Sequence, residues 1–210
     1  MAFKRIAEST VRRLSLYLSY LEGLNGTDPS TVSSEILAGL VGTTSAQVRK
    51  DLSFFGSFGK RGLGYSIVEL RDSLRDILGL DRTWQVCIVG AGKIGVALAQ
   101  YPGFGTKGFH IAAVYDSDPA KIGTFWDSLT VRDVRQLRDD AAHERFDIGV
   151  IAVPADAAQS VVDTLVAAGV KALMNFAPAQ ITTPSDVIVR TVNMALEFEG
   201  LSFALAHRSA

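Results

Sequence analysis

Three glycines within six residues, Gly90-Ala91-Gly92-Lys93-Ile94-Gly95, follow directly on the apolar run Val86-Cys87-Ile88-Val89. The spacing G-x-G-x-x-G is weak by itself. Behind a strand buried on both faces, and opening a helix, it has a defined use. The first glycine permits a tight turn, the second admits a pyrophosphate to the backbone, and the third lets helix and strand pack closely. Amides at the helix N-terminus then face the phosphates. Gly90, Ala91, Gly92, Lys93, Ile94 and Gly95 are therefore candidate dinucleotide-binding residues. Asp116 ends the next strand, twenty-six residues after Gly90, the Pro102-Gly103-Phe104-Gly105 segment lengthening the interval. A carboxylate there accepts hydrogen bonds from the adenosine ribose and repels a 2′-phosphate, which favours NAD(H) over NADP(H). Pro154 follows an apolar strand, at the end where ligands bind in such folds. The plain alternative is an α/β turn with a solvated aspartate.

A second set of residues suits DNA. A helix from about Ser45 to Phe55 turns Val48, Leu52 and Phe55 inward, at i, i+4 and i+7. Ala46, Arg49, Lys50 and Ser53 share the opposite arc, with Gln47 at its flank and Ser45 at the helix start. Arg and Gln can bond base edges in a major groove, while Lys and Ser suit phosphates. Taken alone, such a face is more often a solvated charged surface. The glycine-rich stretch that follows (Gly56, Gly59, Gly62, Gly64) changes that balance. It reads as a β-hairpin with Lys60 and Arg61 at its tip and Tyr65 bracing its base, a wing able to enter a minor groove or grip phosphate.

The elements that must position these residues fall into two groups. Residues 1–80 read as helices: one from Ser9 to about Gly23 carrying Val11, Leu14, Leu18 and Leu21, one capped by Ser30 or Thr31 and running to Leu40, the Ser45 helix after a tight glycine turn, and one from about Val68 to Leu78. Two short helices joined in this way form a helix-turn-helix. Residues 83–192 alternate strand and helix: Val86–Val89, Lys93–Tyr101, Ile111–Tyr115, Ile148–Val153, Ala155–Ala168 and Ala172–Asn175. The fold class is therefore α/β, an N-terminal winged helix followed by a Rossmann-type doubly wound parallel sheet. Residues 193–210 form a terminal helix and tail. Met194, Phe198, Leu201 and Leu205 give that helix an apolar face that needs a partner.

Of 210 residues, 48% are hydrophobic and 20% charged, an ordinary globular balance. No apolar run of eighteen residues occurs, so no membrane span is expected, and the start of the chain does not read as a secretory signal. The net charge of −1 is unevenly placed: residues 1–66 hold eight Lys/Arg against five Asp/Glu, which permits DNA on that side. Cys87 is the one cysteine, so no internal disulfide exists and a cytoplasmic setting is the default. Its place mid-strand marks it as a small core residue rather than a redox centre. His110, His143 and His207 stand apart, without metal spacing or an acid–base partner, so neither a metal site nor catalysis is expected.

Together Gln47-Val48-Arg49-Lys50-Asp51-Leu52-Ser53, Gly59-Lys60-Arg61-Gly62-Leu63-Gly64-Tyr65, Val89 to Gly95, Tyr101-Pro102-Gly103-Phe104 and Asn175-Phe176-Ala177-Pro178 resemble the redox-sensing repressors of the Rex family. The resemblance spans nearly the whole chain. It implies a homodimer on an AT-rich inverted repeat of double-stranded operator DNA, released when NADH rises relative to NAD⁺. It implies too that the terminal helix is swapped onto the partner subunit. Tyr101, Asn175 and Phe176 join the cofactor candidates on the same footing. Tyr101, Phe104 and Phe176 could give the neutral dihydronicotinamide an aromatic lining that a cationic ring would not share. One departure stands out. Where the family pairs an arginine on the first helix with an aspartate before the last, this chain has Ser19 and Asn193, so that ion pair cannot form.

Two other classes fit parts of the pattern. A small NAD-dependent oxidoreductase would need a substrate pocket and proton donor, for which no second domain remains. A CoA-binding or other nucleotide-binding module would share the glycine loop, but its 3′-phosphorylated ribose would meet Asp116.

Overall fold

Leu14, Tyr17, Leu18 and Leu21 line one side of the first helix, α1 (Glu8–Gly23), and are fully buried in the computed structural model, which describes residues 6–24, 29–59, 63–126 and 129–207. Val11, expected on that face, is 41% exposed. The chain divides into two units, Met1–Arg82 and Thr83–Ala210.

In the first unit Thr31–Val32 is a short strand, β1, and not the start of a helix. The β-branched pair takes extended backbone, and the cap passes to Ser33, whose hydroxyl accepts the Ile36 amide of α2 (Ser34–Val41). Gly42 closes α2 in the left-handed region, at φ +65°. Thr44 then caps α3 (Ser45–Ser53) through the Gln47 amide. Next come β2 (Tyr65–Ser66) and α4 (Ile67–Ile77), capped by Ser66 with Glu69 at the third position. The tip of the expected hairpin, residues 60–62, lies outside the described residues; on either side of it Gly59 and Gly64 lie close together, and β2 pairs antiparallel with β1, Val32 opposite Tyr65. Only glycine fits at Gly64: φ is +80°, and a Cβ would stand 2.6 Å from the Val32 carbonyl oxygen. Leu37, Val48, Leu52, Tyr65, Leu70 and Leu74 complete the core of this unit around α1.

The second unit contains β3 (Trp84–Val89), α5 (Lys93–Ala99), α6 (Gly103–Thr106), β4 (Phe109–Asp116), β5 (Phe125–Trp126), β6 (Leu129–Asp133), α7 (Leu137–Asp140), β7 (Ile148–Ile151), α8 (Ala158–Ala167), β8 (Ala172–Asn175), β9 (Ile188–Thr191) and α9 (Met194–Ala206). The sheet order is β5-β6-β4-β3-β7-β8-β9, parallel except at β5. The chain thus winds outward from β3 in both directions. A crevice opens where the order reverses, between the carboxyl ends of β3 and β7. α7 and α8 cover one face with Val161, Val162 and Leu165 against Cys87, Val89 and Ile151. The other face, under α5 and α6, keeps an apolar recess of about 480 Å³, open space at its mouth included, lined by Val86, Ile88, Leu98, Phe104, Ile148 and Met174 among others.

α9 differs from expectation. Besides Met194, Phe198, Leu201 and Leu205 it carries Leu196 and Phe203 on the opposite side, and none of its residues is buried. Two opposed apolar stripes require cover on both sides. No helix among the described residues is long and apolar enough to cross a membrane.

Candidate cofactor cleft and DNA-facing helix

The glycine loop has the shape its spacing predicts. Gly90 sits at φ +110°, and a Cβ there would strike the Ala152 carbonyl oxygen at the end of β7. A Cβ on Gly95 would run into the Gly90 carbonyl oxygen. Gly92 is different: its φ is ordinary, and nothing lies within 4 Å of where its Cβ would be. The turn and the helix packing require two of the glycines, while the third faces open space. That space is a cleft of about 1520 Å³, its open mouth included, lined by Gly90, Gly92, Lys93, Ile94, Asp116 and Pro154 together with Lys121, Ser160 and Thr164. Ala91 is buried beneath it.

Asp116 is held from several sides. Its Oδ2 accepts the Ala91 amide at 2.7 Å and the Lys121 ammonium at 3.1 Å, and its Oδ1 accepts the Asp118 amide at 2.9 Å. Burial alone would raise its pKa, but these bonds outweigh burial and hold the carboxyl below its ordinary value. It is therefore an ionised acceptor at the cleft wall, tied directly to the glycine loop. For Asp116→Ala we expect weaker NADH binding and a narrower preference over NADPH, read by calorimetry with both cofactors; an unaltered ratio would remove the ribose assignment.

Three further candidates do not line the cleft. The Asn175 side chain is fully buried; its Oδ1 accepts the Ala177 amide and its Nδ2 donates to the Ala179 carbonyl, so it shapes the loop after β8. Phe176 packs on the α5 face of the sheet, and Phe104 lines the recess there. Tyr101 is 58% exposed, edge-on to Phe104 at 5.0 Å. The aromatic lining is thus not assembled around the cleft of one chain. Cys87 is a core residue, its thiol pushed up to about 12 by burial. No cluster of metal-ligating side chains occurs among the described residues.

On α3, Val48 and Leu52 are buried, and Arg49, Lys50 and Ser53 are exposed together. Arg49 donates to the Ser34 hydroxyl at 3.0 Å and lies 3.8 Å from Glu35, a solvent-exposed pairing that holds the guanidinium only weakly. Ser45 is half-buried in the first turn. Tyr65 is a core side chain whose ring abuts Gly59, so it braces the segment rather than facing outward. Lys60 and Arg61 lie outside the described residues.

A group missed from sequence lies behind this helix. Asp51, fully buried, accepts from Arg13 at 2.6 and 2.7 Å, from the Tyr17 hydroxyl at 3.1 Å and from Gln47 at 2.8 Å. Gln47 is therefore turned partly toward Asp51. The signal was present as Arg13 and Tyr17, four residues apart on α1, but pairing across 38 residues is invisible to periodicity. Ser19 is exposed on α1. Asn193 caps α9 through the Ala195 amide, a role open to asparagine and aspartate alike.

Comparisons with known proteins accord with both halves. Two family profiles match: "Putative DNA-binding protein N-terminus" over residues 5–53 and "CoA binding domain" over residues 81–179. The redox-sensing transcriptional repressor Rex of Syntrophomonas wolfei is 48% identical over 96% of both chains, and that of Streptomyces coelicolor 45% identical over 94% of this chain and 77% of its own. Among solved structures, RSP in complex with β-NAD⁺ and operator DNA superposes with a TM-score of 0.90 at 38% identity, covering 96% of this chain and 93% of that one. RSP in complex with β-NADH gives 0.88 at 37% identity, with 96% and 95% covered. With a dinucleotide cleft on one unit, a helix-turn-helix on the other and relatives this similar along nearly its full length, the chain belongs to the Rex family of redox-sensing transcriptional repressors.

Proposed function

We infer that this protein binds operator DNA through α3, as a homodimer, and releases it when NADH fills the cleft beneath Gly92. It is a repressor and not an enzyme, and its ligands are NADH and NAD⁺. The observation that supports this most is one polypeptide carrying both an open pyrophosphate cradle and an exposed Arg49–Lys50–Ser53 face. A sensor needs only unequal binding in two states. If DNA favours one dimer geometry and NADH another, each weakens the other by the same factor, typically about 5- to 150-fold.

The assigned residues divide the work. Gly90 to Gly95 and Pro154 hold the dinucleotide, Asp116 takes the ribose, and Tyr101 reaches the nicotinamide end from outside the single-chain cleft. The base-reading and phosphate-gripping set is Ser45, Gln47, Arg49, Lys50 and Ser53, with Lys60 and Arg61 as a wing tip. The two opposed apolar stripes of α9 suit a helix swapped onto the partner and covered there on both sides. An AT-rich inverted repeat as target and a cytoplasmic setting complete the proposal. With Ser19 and Asn193 uncharged, the switch works through closure around the cofactor and not through an ion pair at those positions.

Titrating operator binding against NADH, NAD⁺ and CoA side by side tests the reading. Release by NADH at concentrations where CoA is inert is the expected result; equal operator affinity in all three would end it. Arg49→Ala and Lys50→Ala should weaken operator binding without changing NADH affinity. If Arg49 reads guanine, its loss costs about 1–3 kcal/mol and relaxes specificity at one position. If it grips phosphate, all sequences weaken alike and the salt slope falls by about one. Unchanged DNA affinity in both variants would remove α3 as the reading helix.

A further inference from the structure

Asp116 does not face the cleft as a bare carboxylate. The Lys121 ammonium stands 3.1 Å from its Oδ2 and 3.7 Å from Asp118, and all three side chains line the cleft. Asp116 is pinned, 10% exposed and fastened by the Ala91 and Asp118 amides, whereas Lys121 is 40% exposed on a flexible four-carbon stem. When a phosphorylated ribose arrives, Asp116 cannot withdraw. Lys121 can turn from the carboxylate to the phosphate, because an ammonium carries three donors and no directional fork.

We propose that Lys121 is a second determinant of cofactor choice: it offsets the charge of Asp116 and offers a cation to a 2′-phosphate, so NADPH binds more weakly than NADH but is not rejected. This rests on the reading of the cleft as an NADH site. A carboxylate alone would meet a 2′-phosphate as like charge against like charge. With Lys121 between them, Asp116 and Asp118 meet it with one net negative charge instead of two and with a mobile positive arm, so the discrimination belongs to the cluster and not to Asp116 alone.

The side chain can be changed without disturbing the turn. The Lys121 amide donates to the Asp118 carbonyl and its own carbonyl accepts the Thr124 amide and hydroxyl, all through backbone atoms of residue 121. Lys121→Met therefore reports charge at the cleft. Titrating the full-length protein with NADH and NADPH, we expect Lys121→Met to lower NADPH affinity about fivefold, as for one solvent-screened charge contact, and NADH affinity less than about twofold. Lys121→Arg should restore the wild-type ratio. In the wild type, NADPH affinity should fall more steeply with added salt than NADH affinity. Parallel losses of both cofactors, an unmoved ratio, or outright rejection of NADPH by the wild type would each overturn the proposal. A wild type that binds neither cofactor overturns the cofactor reading itself, which is a separate outcome.

Discussion

Asp51→Ala is expected to destabilise the N-terminal unit by about 3 kcal/mol, lowering its melting temperature by roughly 12 °C or more, and to abolish operator binding at moderate temperature. Asp51 has no water contact, and its two oxygens gather Arg13, Tyr17 and Gln47 from two helices. Removing one member of a buried pair strands the other, which costs about 3–5 kcal/mol. The lower figure applies because the Arg13 side chain remains 21% exposed and regains some hydration. The pH dependence has a fixed sign. Burial alone would raise the Asp51 pKa, but the bonds from Arg13, Gln47 and Tyr17 outweigh it and hold the carboxyl below its ordinary value. A depressed folded pKa contributes stability that is complete above the unfolded pKa of about 4 and is lost as pH falls through the folded value. Melting curves of wild type and Asp51→Asn between neutral pH and pH 3 should therefore converge toward the acid end. A constant gap would show that the carboxylate charge is not what ties α3 to α1.

What could be read in the sequence and what could not follows from the range of each interaction. The glycine loop, the central strands β3, β4, β7 and β8, and the inward face of α3 are local patterns. Period and punctuation within ten residues suffice for them. β5 and β9 escape the pattern because edge strands need no long apolar run: β9 has no buried residue, and β5 is two residues long; β6 lies inside the sheet but buries only Val131, so it too lacks an apolar run. β1 reads as a helix start because its partner, β2, lies more than thirty residues away. The same limit explains the sites. Gly90, Gly92 and Gly95 are legible since one turn relates them, and Asp116 since it ends the next strand after that turn. Asn175 looked like a ligand residue and is a loop brace, its polar atoms consumed by Ala177 and Ala179. Asp51 takes its importance from Arg13 and Tyr17, brought near only by folding, whereas Lys121 has its partners within five residues but no spacing that marks it.

Gly92→Ala should separate binding from folding more cleanly than any other change in the cleft. The backbone at Gly92 is in a region open to any residue, and its Cβ would enter empty space, so stability should hold or rise by about 0.4–1 kcal/mol through the unfolded chain. The methyl group would stand where a pyrophosphate meets the loop amides. Losing one amide–phosphate bond of about 1.5–3 kcal/mol weakens NADH roughly 10- to 150-fold. Operator binding, which depends on the other unit, should be unaffected, leaving a repressor that holds DNA and ignores NADH. Gly95→Ala provides the contrast. Its Cβ meets the Gly90 carbonyl oxygen, so the loop must shift, and overpacking of this kind costs about 1–3 kcal/mol. That variant should lose stability and NADH binding together. Calorimetry with NADH, thermal melts and operator titrations distinguish the two. If Gly92→Ala takes up NADH as tightly as the wild type, the pyrophosphate does not lie on this loop and the cleft has been assigned to the wrong part of the ligand. If Gly95→Ala melts as the wild type does, the contact between α5 and the turn is looser than the structure makes it.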